Sequence, residues 1–211
     1  MGIFKVYSQN KTGLNLFEHF QKRTFDIFFS LIGLLATWWI ILLSWLIASY
    51  DTKSNGFFIQ GRVGRGGRIF KIIKIKTMRP THLFNTTVTI SGDPRVTSFG
   101  SFLRRTKLDE LPQLWNILIG NMSFVGPRPD VSGFSDKLIG DDRLLLSIRP
   151  GITGPATLKY RDEERLLSNQ KDPEQFNIKV IWPDKVDINL DYILNWSLFN
   201  DIKYIKKTII K

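Results

Sequence analysis

The sequence predicts an α/β, membrane-associated protein: a membrane helix followed by a compact, helix-rich domain with a small β-hairpin and interfacial amphipathic helices. Three observations lead to this fold class. They are an uncharged apolar run over residues 27–50, a glycine-rich segment between two strand-like patterns, and a helical periodicity further along the chain. We place an N-terminal segment at 1–55, with its helix at about 25–50, and a globular domain at 56–211.

Charge and composition indicate an anionic partner. The 211 residues carry a formal net charge of +11, and residues 1–90 hold 12 basic but only 3 acidic side chains. Because this basic part also contains the apolar run, a membrane is the expected polyanion. Aromatic side chains do not alternate with the basic ones, so we expect no nucleic acid partner. The absence of cysteine excludes a disulfide scaffold, a cysteine-ligated metal site and a cysteine nucleophile.

The apolar run, Ile27–Tyr50, is long enough to cross a bilayer. As a helix it would measure roughly 36 Å, against a hydrocarbon core of about 30 Å. More than 20 residues precede it and no small-residue cleavage site ends it, so it is not expected to be a cleaved signal peptide. Basic residues flank both ends, which favours the cytoplasmic side for each. A spanning helix and a re-entrant helix both remain open.

Two strands are expected directly after this run. Phe57–Gln60 and Ile69–Lys76 have strand-like composition, and the second alternates isoleucine with lysine. The glycines between them, at 61–67, predict a turn; their backbone amides would also allow close approach of a phosphate, although the spacing is not that of a Walker loop. We therefore expect a basic β-hairpin, and a further turn at Ser91–Arg95.

Two adjacent carboxylates, Asp109 and Glu110, precede a helical pattern of apolar residues. Pro112 is tolerated only in a first turn, so the helix is expected to start near Asp109. Carboxylates at a helix start are commonly caps, yet with basic residues just upstream they also suit magnesium and phosphate chemistry. From the residues alone both interpretations stand. The pattern rests on Leu111, Leu114, Trp115 and Leu118.

Later segments add rigid arginines and an amphipathic helix. Arg128 lies between two prolines, and Arg149 precedes Pro150 and a glycine turn; such arginines are either parts of ordinary turns or preorganised for oxyanions. The segment 191–211 predicts one helix that caps the domain or lies on an anionic bilayer. Its apolar stripe comprises Tyr192, Trp196, Phe199, Ile202, Ile205 and Ile209.

Four blocks of the sequence together resemble a known family. They lie at 61–78, 93–129, 149–154 and 195–208, and their most specific parts are LDELPQLWN and GPRP. The chain resembles the bacterial sugar transferase family, monotopic polyprenyl-phosphate phosphoglycosyl transferases, in order from about Lys22 to Lys211. Members of this family usually have a Ser-Pro pair midway through the apolar segment, where this chain has Trp38-Trp39.

The resemblance implies an activity and a set of site residues. Asp109 matches the nucleophile that attacks a UDP-sugar, releases UMP and passes the sugar phosphate to undecaprenyl phosphate, and Glu110 matches the second catalytic carboxylate. Mg²⁺ is the implied cofactor, with Asp109 and Glu110 as its ligands. Arg104 and Arg128 are expected to bind phosphate. Further substrate-binding candidates in the matching blocks are Pro127, Pro129, Lys74, Lys76, Asp93 and Arg95.

The resemblance also implies a location and a pathway. We expect the bacterial inner membrane, with the catalytic domain on the cytoplasmic face, and the first membrane step of exopolysaccharide, capsule, O-antigen or glycoprotein glycan synthesis. The alternative is a catalytically silent membrane scaffold of a glycan-assembly complex. Substitution of Asp109 by Asn separates the two, since it abolishes only an enzymatic activity.

Overall fold

The longest element is the helix α1, which covers 37 residues, Leu16–Thr52. The computed structural model describes residues 13–79 and 93–210. A capping box fixes the first turn: the Asn15 side chain accepts from the Glu18 N–H at 2.9 Å, and the Glu18 carboxylate accepts from the Asn15 N–H at 2.7 Å. The helix ends at Lys53, whose φ is 49°. The helix continues through Trp38-Trp39 without interruption.

One side of α1 packs against the rest of the protein along most of its length. Leu34 contacts one apolar cluster, and Ile41 and Ala48 contact another. By length and composition α1 could cross a membrane. The opposite side exposes large apolar side chains over the same length. They include Phe28, Leu31, Ile32, Leu35, Trp39, Leu42, Leu43 and Leu46.

The expected β-hairpin follows α1 and is confirmed. The strands β1, Phe57–Val63, and β2, Ile69–Ile75, pair antiparallel with Phe57 opposite Ile75. The first strand is three residues longer than expected, because pairing continues up to a 3₁₀ turn at Arg65–Gly67. Ile72 and Ile75 of β2 are buried against α1 and the helix that follows the acidic pair. The hairpin thereby places β2 next to both.

The remaining elements form a helical layer around one short parallel strand pair. β3, Ser123–Val125, pairs with β4, Gly151–Thr153. This pair was not predicted, since three-residue strands leave no periodic pattern. The helices are α2 (Ser98–Thr106), α3 (Gln113–Leu118), α4 (Pro155–Lys159), α5 (Glu163–Ser168), α6 (Pro173–Phe176), α7 (Trp182–Leu194) and α8 (Leu198–Ile209), with a π-helical turn at Asn177–Ile181.

The C-terminal segment forms two helices, so the prediction of one continuous helix was wrong. The chain leaves the helical conformation at Asn195, and the Ser197 side chain caps α8 by accepting from the Asn200 N–H at 3.2 Å. Tyr192 and Trp196 are buried as a result, whereas Phe199 stays exposed. Ile205 is partly buried against the same core, so three of the six residues of the expected apolar stripe pack there. Lys211 lies outside the described residues.

A buried polar cluster joins the start of α1 to α7 and α8. Lys22 Nζ lies 2.6 Å from Asp201 Oδ2 and donates to Tyr192 Oη at 3.2 Å. Asp201 also accepts from Tyr192 at 2.6 Å and from Trp196 Nε1 at 3.1 Å. Because both charges are buried, removal of either would leave the other unpaired at a cost of several kcal/mol, about 3 to 5. The cluster thus fixes the first turns of α1 to α7 and α8.

Candidate active site

The acidic pair lies in a short 3₁₀ turn between α2 and α3. This turn, Leu108–Glu110, follows Lys107, whose backbone is left-handed with φ 61°. α3 begins at Gln113, so the expected helix start near Asp109 was wrong by one turn. The left-handed Lys107 reverses the chain immediately before the pair and turns both carboxylates inward. Asp109 and Glu110 are 8% and 7% exposed.

Glu110 is held by two cations from distant parts of the chain. Its Oε1 accepts from Lys74 Nζ at 2.8 Å and from Arg128 Nη2 at 2.9 Å. Burial by itself raises the pKa of Glu110, but the charges of Arg128 and Lys74 outweigh it and hold that pKa well below its ordinary value. Glu110 is therefore ionised at neutral pH, and its Oε1 holds the Lys74 and Arg128 side chains next to each other.

Asp109 is in the opposite situation. Its Oδ1 is buried without a hydrogen-bond partner among the described residues. Burial, and secondly the charge of Glu110, raise the pKa of Asp109 to about 6. At neutral pH it is a mostly ionised carboxylate with an unused oxygen. Such an oxygen is suited to contact an incoming electrophile or cation.

The segment Gly126–Pro129 presents Arg128 to Glu110. The Gly126 N–H donates to Thr153 O at 2.9 Å, and Pro127 O accepts from the Gly151 N–H at 2.8 Å. A Cβ on Gly126 would lie 2.5 Å from Arg149 O, so only glycine permits this approach. Pro127 and Pro129 are buried and shape the loop, while the Arg128 side chain stays 45% exposed. Arg128 can therefore contact both Glu110 and a ligand.

Asn116 and Gln113 are site residues that the sequence analysis missed. The Asn116 side chain donates to Lys71 O at 2.8 Å and accepts from the Ile73 N–H at 3.1 Å, which fixes α3 to β2 beside Lys74. Gln113 is buried with its Nε2 unpaired among the described residues. Both lie in the LDELPQLWN block, where their polarity within an apolar helix was the available signal.

Four of the expected substrate-binding residues do not contact the acidic pair. Arg104 Nη2 lies 2.7 Å from Glu164 Oε1. The charge of Arg104 nevertheless lowers the pKa of Asp109. Lys76 donates to Ser54 Oγ at 2.9 Å, near the end of α1. Asp93 and Arg95 bind each other, with Arg95 Nη2 at 2.6 Å from Asp93 Oδ2. The expected turn at Ser91–Arg95 is described only from Asp93, because Ser91 and Gly92 lie outside the described residues.

The residues at this site fit Mg²⁺ only when a substrate also contributes ligands. The described part of the chain holds no group of three or more His, Cys, Asp or Glu able to bind a metal ion. Mg²⁺ is commonly bound through one or two carboxylates plus substrate phosphates and water. The unpaired Oδ1 of Asp109 meets that requirement. Glu110 is the weaker of the two expected ligands, since its Oε1 already carries two cations.

The site is thus a buried pair of carboxylates, one of which binds two cations. Cations placed in this way stabilise the charge that develops in enzymes that transfer charged groups. A family model described as Bacterial sugar transferase matches residues 17–211, and the chain belongs to that family.

Several relatives whose names state a function align with most of this chain. It is 34% identical over 219 residues to UDP-glucose:undecaprenyl-phosphate glucose-1-phosphate transferase of Xanthomonas campestris pv. campestris, covering 100% of this chain and 43% of the relative. It is 33% identical over 209 residues to Undecaprenyl-phosphate galactose phosphotransferase of Salmonella typhimurium, covering 90% and 40%. It is 31% identical over 204 residues to Exopolysaccharide production protein ExoY of Sinorhizobium fredii, covering 89% and 83%. The chain therefore spans less than half the length of the first two.

Proposed function

We propose that the protein transfers a sugar 1-phosphate from a UDP-sugar to undecaprenyl phosphate through a covalent intermediate on Asp109. The observation that carries this proposal is the unpaired, buried Oδ1 of Asp109 beside a Glu110 that is held ionised by Lys74 and Arg128. The names of the relatives support the donor and acceptor classes. ExoY, an exopolysaccharide production protein by its name, supports a role in exopolysaccharide or capsule synthesis.

The reaction proceeds in two displacements at one phosphorus. A carboxylate oxygen of Asp109 forms a bond to the β-phosphorus, and the bond from that phosphorus to the bridging oxygen breaks, so that UMP leaves with the electron pair. An oxygen of undecaprenyl phosphate then attacks the same phosphorus. The bond to Asp109 breaks, and the carboxylate is regenerated. Asp109 needs no separate base, because it is already mostly ionised at neutral pH.

The cations around the pair offset the charge of the substrate. The exposed part of Arg128 is placed to bind phosphate oxygens, and Lys74 adds a second positive charge next to Glu110. Glu110 keeps both cations in place and raises the pKa of Asp109, which makes Asp109 more basic than an ordinary aspartate. Mg²⁺, held by the Asp109 carboxylate together with the phosphates of the donor, would neutralise further negative charge on the pyrophosphate.

We further propose that α1 lies in the plane of the membrane surface and contacts lipid with its exposed side. A helix that crosses the bilayer next to the globular domain would carry that domain into the hydrocarbon, since the contacts run from Lys22 to Thr52. The inner membrane and its cytoplasmic face follow from the cytoplasmic UDP-sugar donor of the proposed reaction.

Spin labels report this orientation, because the chain has no native cysteine. Cysteine replaces Phe28, Leu35 or Leu46, which all lie opposite the packed side of α1. We expect similar shallow depths at the three sites in lipid vesicles. Phe28 and Leu46 are about 27 Å apart along the helix, so in a helix that crosses the bilayer they would lie near its two opposite surfaces. A spin label that is deep at position 35 and shallow at positions 28 and 46 would therefore contradict the in-plane orientation.

The reaction is tested by measuring UMP release in detergent with undecaprenyl phosphate and Mg²⁺. We expect release from one or a few members of a UDP-sugar panel, dependent on the acceptor for multiple turnovers. The donor that responds also identifies the sugar. Absence of both UMP and a sugar-phosphate adduct with every donor would favour the silent scaffold.

A further inference from the structure

A second group of cations lies at the far end of α3 from the acidic pair. Arg23 of α1 donates to Ile117 O at 2.6 Å and to Leu118 O at 2.7 Å. Arg149 donates through Nε to Gly120 O at 2.8 Å. The same carbonyl segment therefore holds two guanidinium groups next to each other, which concentrates positive charge at this point.

Two more basic side chains complete this basic cluster. Arg65 Nη2, at the tip of the hairpin, lies 3.4 Å from His19 Nε2 on α1. Burial and then the charges of Arg65 and Arg149 lower the pKa of His19. The charges of Arg23 and Arg65 oppose a further positive charge on Arg149. Burial, followed by these two arginines, lowers the pKa of Arg149. The four side chains thus come from three separate parts of the chain and face one region, where the charges of Arg23 and Arg65 repel that of Arg149.

No acidic side chain among the described residues forms a salt bridge with this basic cluster. Neither Arg65 nor Arg149 forms a salt bridge within residues 13–79 and 93–210. The carboxylates whose charges act here are both bonded elsewhere: Glu18 accepts from the Asn15 N–H, and Asp26 accepts from Ser123 and Phe124. The residues outside the described ranges include no Asp or Glu side chain. The basic cluster therefore presents positive charge to which an external anion can bind.

The surroundings of the basic cluster are apolar and exposed. On the same side of α1 as His19 and Arg23, Leu16 is 89% exposed and Phe20 is 68% exposed, and Ile119 adjoins the carbonyls that Arg23 and Arg149 bind. Cations next to exposed apolar side chains are typical of groups that sit at the boundary between lipid headgroups and acyl chains. A soluble anion would explain the charges but not the apolar rim.

We propose that His19, Arg23, Arg65 and Arg149 bind the phosphate of an anionic phospholipid, with the acyl chains against Leu16 and Phe20. The free terminal nitrogens of Arg149 and the Arg65 guanidinium supply donors for the phosphate oxygens. This assignment rests on the proposed function in one respect. The acceptor phosphate must reach Asp109, whereas this basic cluster lies beyond the opposite end of α3, so it holds a resident lipid rather than the acceptor.

The test compares thermal unfolding with short-chain lipids and needs no UDP-sugar, so it is independent of the proposed reaction. Protein in neutral detergent is mixed with dihexanoyl phosphatidylglycerol or with dihexanoyl phosphatidylcholine. The variants are Arg65→Gln and, as matched control, Arg68→Gln, which removes the same charge from an exposed site next to the same turn. We expect phosphatidylglycerol to raise the midpoint by at least about 3 °C more than phosphatidylcholine for the unaltered protein and for Arg68→Gln.

Arg65→Gln is expected to lose at least half of that difference. Equal midpoints with the two lipids, or an equal loss in both variants, would overturn the proposal, because the attraction would then be absent or nonspecific. A separate arm measures the KM for undecaprenyl phosphate. If Arg65→Gln raises this KM about fivefold or more while the phospholipid effect is absent, the basic cluster binds the acceptor and the phospholipid assignment fails.

Discussion

Asp109→Asn is expected to abolish UMP release, with a loss of at least about 1,000-fold, and to prevent formation of a sugar-phosphate adduct. The amide cannot displace UMP, whereas the shape of the buried site is retained. Intact-mass measurement after incubation with donor alone checks the adduct directly. Asp142→Asn, at an exposed position, is the control and should leave both readouts unchanged. UMP release that persists in Asp109→Asn would contradict the covalent mechanism.

Although Asp109→Asn is expected to abolish activity, it is expected to stabilise the folded protein at neutral pH. The pKa of Asp109 is about 6 in the folded protein and near 3.8 ordinarily, so the folded state favours the protonated form. Stability from this group is present below pH 3.8 and is lost as the pH rises to 6 and above. Asn removes that loss, so Asp109→Asn should be more stable at pH 7.5, by up to about 3 kcal/mol.

Chemical unfolding at two pH values measures this effect. The advantage of Asp109→Asn should shrink towards zero near pH 4, while Asp142→Asn should show no comparable change. A less stable Asp109→Asn at pH 7.5 would mean that favourable contacts hold the ionised carboxylate, contrary to its unpaired Oδ1. Greater stability with no activity would also exclude misfolding as the cause of the lost transfer.

Features set by neighbouring residues were predictable from the sequence. The β-hairpin follows from alternating isoleucine and lysine around a glycine turn, and the structure differs in that β1 is three residues longer and β2 one residue shorter than expected. The long apolar helix follows from its composition. Its basic flanks are compatible with both a spanning and a re-entrant helix, and no proline or other break interrupts its backbone hydrogen bonds.

Features set by distant contacts were not predictable in the same way. Arg104 and Arg128 look alike as basic residues near the acidic pair, yet Arg104 pairs with Glu164 while Arg128 reaches Glu110. That choice depends on α5 and on the parallel strand pair that holds the Gly126 turn. No local pattern encodes either contact, since each joins residues brought together only by the tertiary fold.

Glu110→Gln is expected to reduce transfer by at least about 100-fold and to destabilise the protein. Its Oε1 is the common acceptor for Lys74 and Arg128, so a neutral amide leaves two cations close together in a largely buried site. The expected cost is about 2 to 3 kcal/mol, less than for a fully buried pair that loses one member, because water reaches the 45% exposed Arg128 side chain. Glu164→Gln removes the same charge from the exposed pair with Arg104 and should cost less than about 1 kcal/mol.

The pH dependence distinguishes an electrostatic role of Glu110 from a merely structural one. The charge of Glu110 is one of the causes that raise the pKa of Asp109, so in Glu110→Gln this pKa should fall. The acidic limb of kcat/KM, expected near pH 6 in the unaltered protein, should then move to lower pH in the residual activity. Adding Lys74→Met should recover stability, because it removes one of the two unpaired cations, but should not recover transfer. An acidic limb that stays in place in Glu110→Gln would contradict the coupling of the two carboxylates and leave burial alone as the cause of the basicity of Asp109.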